Sequence, residues 1–228
     1  MKNVLVFFLC LMAFPSIAQQ LTYTQFKQDA SSAINLQPEY GGLAKTKEQT
    51  EEDNTFIKAA LSQYPTRLKA SAHMVELGFK YLYQGDIETA MKRFNQAWLL
   101  EPKNENVYWG YGAVYFTFGD NDEALRQLDK GLTINPESSN LLTDKATIYT
   151  SYFFGTKEMH YLDDAINLFI KSYNIDPNNQ NTLFKLSAAY FYKQDCTNAK
   201  RYYDECMKLG GQPIPKGYSD DLQKQCGK

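Results

Sequence analysis

Apolar and small residues recur at helical spacing through the middle of the chain, and the same set returns 34 residues later. Leu77, Gly78, Tyr81, Gly85, Ala90, Phe94, Ala97 and Pro102 are followed by Tyr111, Gly112, Tyr115, Gly119, Ala124, Leu128, Gly131 and Pro136. A fixed period of this size denotes stacked supersecondary units. Ala90, Phe94 and Ala97 fall at i, i+4 and i+7, one face of a helix, and Gly78 and Gly112 each precede a Tyr by three positions on the helix before. Small residues let two helices cross closely while large ones fill the groove beside the crossing. Gly85-Asp86 and Gly119-Asp120 supply a helix stop followed by a cap, and Pro102 and Pro136 end each second helix. The predicted unit is a helical hairpin and the fold class is all-α.

These positions resemble the tetratricopeptide repeat, whose Gly, Tyr, Ala, aromatic, Ala and Pro sites are nearly all filled in two consecutive copies. A third copy keeps Asn140 and Tyr149 at the same interval, but Ala165, Phe169 and Pro177 come 41 residues after Ala124, Leu128 and Pro136. Seven extra residues therefore sit between its two helices. A fourth copy returns to 34 with Tyr190, Ala199, Tyr203 and Cys206, and Gly211 replaces the closing Pro. The resemblance spans Arg67 to Gly211 and implies a right-handed superhelical solenoid of about four antiparallel hairpins, at 67–102, 103–136, 137–177 and 178–211. The inserted stretch, Tyr152 to Tyr161, is rich in aromatics and has two readings: an exposed binding surface, or a longer first helix that packs on the fourth hairpin.

Outside the repeats, Leu21 to Asn35 and Thr46 to Tyr64 read as helices separated by a breaker at Gln37-Pro38-Glu39-Tyr40-Gly41-Gly42. Thr46 with Gln49 has capping-box spacing, and Phe56, Ile57, Ala60 and Leu61 share an apolar face. Residues 19–66 are expected to be an N-terminal helical cover, its second helix lying on the first hairpin, because the ends of a solenoid need covers. Residues 212–228 are expected to cap the other end, with a short helix from Tyr218 to Cys226. Residues 1–18 carry the features of a secretory signal peptide: Lys2, an apolar run from Val4 to Ala13, and the small-residue site Ser16-Ile17-Ala18. The run is too short to cross a bilayer. The chain is therefore expected to be exported, to a periplasm or the exterior, with no transmembrane segment.

After such cleavage three cysteines remain, Cys196, Cys206 and Cys226. Cys196 and Cys206 bracket one helix and stand roughly 15 Å apart at about 1.5 Å per residue, too far to pair. Cys206 takes the place of Ala97 and Gly131, a small buried position. If the last helix returns antiparallel to the one before it, Cys226 reaches the level of Cys196, and a Cys196–Cys226 disulfide would staple the cover. Three free thiols are the alternative.

Charge narrows the function. Without residues 1–18 the chain has 23 basic and 26 acidic residues, interspersed rather than clustered, which argues against nucleic acid. The two histidines, His73 and His160, are 87 residues apart and accompany no nucleophile signature. Glu51-Glu52-Asp53 and Asp163-Asp164 fall near predicted helix starts, where carboxylates suit the helix dipole. No phosphate loop or zinc motif occurs. No catalytic residue, metal or cofactor is expected.

What the resemblance implies instead is recognition. In tetratricopeptide repeats the first helix of each hairpin lines a concave groove that receives a peptide or helix. The matching row here includes Phe79 and Tyr83, then Asn106, Trp109 and Phe116, then Asn140 with Thr143, Thr147, Thr150 and Ser151, then Asn181, Phe184 and Phe191. The family's carboxylate clamp is absent: Val75, Phe79, Gly110, Asn140 and Asp144 stand where its Lys, Asn and Arg side chains would be. The aromatics suit apolar anchors of a protein or peptide partner, and Asn106, Asn140 and Asn181 suit a polar ladder to its backbone. Packing between hairpins, for the aromatics, and helix capping, for the asparagines, are the competing readings. A non-catalytic binding scaffold is the expected function. The alternatives are a self-associating structural subunit, a homo-oligomer whose groove is filled by its own N-terminal segment or a second copy, and a small-molecule or glycan-binding accessory.

Overall fold

A computed structural model describes residues 21–227. The expected signal peptide lies outside the described residues. Among them every regular element is helical: α1 (Tyr23–Ser32), α2 (Lys47–Gln63), α3 (Arg67–Tyr83), α4 (Ile87–Leu100), α5 (Glu105–Thr117), α6 (Asn121–Ile134), α7 (Ser139–Thr156), α8 (Met159–Ile175), α9 (Gln180–Tyr192), α10 (Cys196–Lys208) and α11 (Lys216–Cys226). Two short 3-10 turns, Ile34–Leu36 and Pro38–Gly42, join α1 to α2. None of these helices is long and apolar enough to cross a membrane.

Four hairpins, α3/α4, α5/α6, α7/α8 and α9/α10, stack in chain order. The first two turn through Gly85 and Gly119, at φ +81° and +77°, a region costly for residues with a Cβ. The fourth turns through Gln194 at φ +63° instead. Asp86, Asp120 and Asp195 then cap the following helix by accepting the N–H of Thr89, Glu123 and Asn198 at 3.0–3.1 Å.

Phe94 shows why the hairpins sit so close. Its ring is fully buried, and its Cδ1–Cε1 edge lies against both Gly78 of its own hairpin and Gly110 of the next. A Cβ at either glycine would lie 2.3 Å from the ring. The absent side chains make room for one large residue that fills both the intra-hairpin and the inter-hairpin crossing.

The seven extra residues of the third hairpin form no loop. α7 has 18 residues where α5 has 13, and α8 has 17 where α6 has 14. The hairpin is simply taller by about a turn, and it reverses at Lys157, in the left-handed region at φ 64°. Phe153 is buried, and Phe154 packs edge-on against Tyr192 at the end of α9, 4.7 Å between centroids. This is the longer-helix reading of the insertion.

The N-terminal cover has two parts that lie on different surfaces. α2 starts at the expected capping box of Thr46 and Gln49 and puts Phe56, Ile57 and Ala60 into the core of the first hairpin. Residues 21–42 instead cross the outer face made by the second helices of the first two hairpins. α1, shorter than expected, begins with its own capping box, Thr22 and Gln25. Phe26 is buried on Phe118, and the Tyr23 hydroxyl donates to the Asp120 carboxylate.

Farther along, fully buried Asn95 on α4 donates to the carbonyls of Asn35 and Gln37, both at 2.8 Å, and accepts the Tyr111 hydroxyl at 2.6 Å. Tyr111 in turn accepts the Glu39 N–H at 3.1 Å. These bonds hold Glu39 and Tyr40 in the left-handed region, both at φ 56°, so the expected breaker is an anchored turn with Tyr40 buried. Lys45 lies 3.3 Å over the Tyr40 ring and pairs with Asp53.

At the other end α11 folds back on α10. Leu222 and Cys226 are buried against Ala199, and Cys226 faces Cys196 with 5.3 Å between Cα atoms, a disulfide geometry. Cys206 is a fully buried thiol, shifted upward in pKa by that burial, and its Sγ–H points at the Gln180 carbonyl, 3.4 Å away.

Candidate aromatic groove

The first helices α3, α5, α7 and α9 lie side by side and enclose a cavity of about 280 Å³. Its walls include Phe79 and Tyr83 from α3, Trp109 and Phe116 from α5, Asp144 and Thr147 from α7, and Asn181 and Lys185 from α9. Residues from four separate stretches of sequence thus meet because each hairpin presents its first helix to the same side.

Trp109 organises the cavity. Its ring contacts Phe79, 4.2 Å between centroids, and its indole N–H donates to Asp144 Oδ2 at 2.6 Å. Phe79 also stacks on Tyr83, at 6.1 Å, and meets Phe94 edge-on at 5.2 Å, which ties the wall to the core. Tyr83 is 80% exposed and Phe116 38% exposed. The Tyr83 hydroxyl titrates above its ordinary value, first through partial desolvation and then through the negative charge of Asp144. Lys185 Nζ approaches Asp144 Oδ1 at 3.4 Å.

The expected row of site residues therefore divides. Phe79, Tyr83, Trp109, Phe116 and Asn181 come together at the cavity. Phe184 and Phe191 do not join them: each meets Tyr218 of α11 edge-on, at 5.4 and 5.7 Å, and the Tyr218 hydroxyl bonds Ser187 at 2.6 Å. They serve as the seat of the C-terminal cover.

The hydroxyls expected in the middle of the groove have their protons committed within the protein. Thr147, Thr150 and Ser151 donate to carbonyls four residues earlier in α7. Thr143 is fully buried, bonded to Ser172 at 2.8 Å and Thr182 at 2.7 Å.

The asparagine ladder is mostly a capping system. Asn104 and Asn179 are the N-caps of α5 and α9 and accept the N–H of Asn106 and Asn181, each at 3.1 Å. The Asn106 side chain turns back to Asn104, and Asn140 accepts from Asn179 at 3.2 Å. The partners missed in sequence, Asn104 and Asn179, stand two residues after Pro102 and Pro177, a capping offset that could have been recognised.

His73 stacks on Tyr64 and lies beside Glu76 in the middle of α3, and His160 tilts against Tyr161 beside Glu158, the N-cap residue of α8. Glu51 to Asp53 and Asp163 to Asp164 sit a turn inside α2 and α8 rather than at their starts, and Asp53 and Asp163 pair with Lys45 and Lys193. Among the described residues no group of three or more His, Cys, Asp or Glu side chains is placed to hold a metal ion. The residues lining the groove run from Phe79 to Lys185, so the described part of the N-terminal segment does not fill it.

The tetratricopeptide repeat family profile matches residues 81–146, from the end of α3 into α7. No curated protein matches the chain. Among solved structures, the thermophilic tetratricopeptide repeat protein TTC0263 of Thermus thermophilus superposes with a TM-score of 0.56. It shares 12% identity, over 68% of this chain and 79% of its own. The pilF protein of Pseudomonas aeruginosa gives 0.53 at 17% identity, over 78% and 86%. Sequence profile and architecture agree: residues 81–146 match the tetratricopeptide repeat model, and the described chain folds as an all-α solenoid resembling tetratricopeptide repeat proteins.

Proposed function

We propose that the protein is an exported, non-catalytic scaffold that takes a protein or peptide partner into the cavity between α3, α5, α7 and α9. The observation that carries this reading is the pairing of a fixed aromatic floor with open aromatic walls. Phe79 and Trp109 are held by Phe94 and Asp144, while beside them Tyr83 is largely accessible and Phe116 partly so. Exposed aromatics next to a rigid apolar floor are the usual anchors of an interface. Export rests on the N-terminal sequence and is supported by the Cys196–Cys226 pairing, which suits an oxidising compartment.

The test is a cross-linking pull-down from the native host with the wild type and a Tyr83→Ala, Phe116→Ala double variant of wild-type helicity. A partner enriched by the wild type and lost from the variant is expected. Equal capture by both would remove the groove as the functional surface.

A further inference from the structure

The geometry points to a cationic side chain, arginine or lysine, as the group the partner inserts into this cavity. The inference rests on the proposed groove and supplies its chemistry.

Asp144 is the carboxylate of the cavity wall. An ionised carboxylate offers about four acceptor positions. From the described residues Asp144 receives the Trp109 indole N–H at 2.6 Å on one oxygen and Lys185 on the other, the latter at 3.4 Å. A charge-assisted N–H···O bond is ordinarily about 2.7–2.9 Å long. Lys185, which is 24% exposed and lines the same cavity, therefore neutralises Asp144 only loosely and leaves acceptor positions of the carboxylate open. Around the carboxylate stand Phe79, Tyr83, Trp109 and Phe116, whose ring faces carry negative potential and attract cations. Among the described residues, none of the chain's own cations that lie over aromatic rings is on these four.

The outer face of the same molecule shows the completed arrangement. There Lys45 sits 3.3 Å from the Tyr40 ring centroid and pairs with Asp53, so ring, ammonium and carboxylate satisfy one another internally. The groove holds the ring wall and the carboxylate without a cation over the rings. A carboxylate at this point would repel a C-terminal carboxylate and favours the opposite charge.

The experiment titrates the full exported chain with Nα-acetyl-arginine amide and with its uncharged counterpart, Nα-acetyl-citrulline amide, following the Trp109 indole N–H by NMR. The arginine compound is expected to bind about tenfold tighter than the citrulline one, and to weaken as salt rises. Asp144→Asn, which keeps an acceptor for Trp109, is expected to abolish the difference; Lys185→Met is expected to enlarge it severalfold. Equal affinity for the two compounds, no detectable binding of either, or an unchanged preference in Asp144→Asn of wild-type helicity would each overturn the inference. If Asp144→Asn still captures the native partner while the Tyr83, Phe116 variant does not, the groove stands and its cationic ligand falls.

Discussion

Trp109 and Phe116 occupy the same repeat positions as Phe184 and Phe191, yet the two pairs have opposite fates. The first pair opens on a cavity; the second is covered by Tyr218 of α11. The repeat fixes which side of the solenoid a residue faces, and the next element along decides whether that side is free. After α5 comes another full hairpin, whose first helix stands beside it and leaves a trough. After α9 and α10 comes a single closing helix, which brings an aromatic of its own onto the row.

The largest way to break this contrast is to release the cover. Replacing both Cys196 and Cys226 with Ala removes a link that closes a separation of 30 residues, and stability is expected to fall by about 3 kcal/mol. Urea denaturation gives that number. Binding of a hydrophobic dye in the native state should rise as Phe184 and Phe191 become accessible. An unchanged midpoint would mean that α11 is held by Leu222 and Tyr218 alone.

A smaller effect is expected at the open end from Gly110→Ala. The new methyl would meet the Phe94 ring at 2.3 Å, and the same edge of the ring already lies against Gly78. The ring and the first two hairpins must then shift apart by about 1 Å to restore ordinary contact, at a cost of about 2 kcal/mol. Because Phe94 supports Phe79, and Phe79 supports Trp109, the change should also shift the Trp109 indole N–H resonance. Gly217→Ala, in the open first turn of α11, is the control: its Cβ would meet nothing within 4 Å. Equal stability of the two variants would show that the hairpins are not spaced by Phe94.

These contrasts mark what local sequence can and cannot carry. Gly85 and Gly119 with Asp86 and Asp120 announce their turns because stop and cap are adjacent residues, and Thr46 with Gln49 announces α2 for the same reason. The α-solenoid itself follows from the spacing of small and large residues around Phe94 and Leu128. The clasp of residues 21–42 was not legible, since it depends on Tyr23 meeting Asp120 and on Asn95 meeting Asn35 and Gln37, contacts between residues 58 to 97 apart. The extra turn of α7 and α8 was half legible: the insertion has no breaker but Gly155, and the reversal falls on Lys157, which no turn signal marks. Of the aromatic row, sequence placed the right face but not the cover, because exposure at Phe184 and Phe191 is set by where Tyr218 docks.

The smallest predicted effect isolates that docking contact. Ser187 donates to the Ala199 carbonyl at 2.7 Å, so the Tyr218 hydroxyl is the donor in its 2.6 Å bond to Ser187. Tyr218→Phe keeps the ring against Phe184 and Phe191 and removes only this bond, at an expected cost of about 1 kcal/mol at neutral pH. Burial also pushes the Tyr218 hydroxyl from its ordinary 10.0 up to about 12. A group whose value is raised on folding contributes stability that is fully present below its unfolded value and lost as pH climbs through the folded one. The Tyr218 share should thus be complete below pH 10.0 and decline toward about 12, so the gap between wild type and Tyr218→Phe should close and then reverse over that interval. Other tyrosines, Tyr23 and Tyr111 among them, are raised as well and titrate equally in both proteins, so only the difference between the two urea midpoints reports on α11. A difference that stays constant from pH 9 to 12 would place the Tyr218 hydroxyl in water, and with it would go the account of why the fourth hairpin's aromatics are closed while the second's are open.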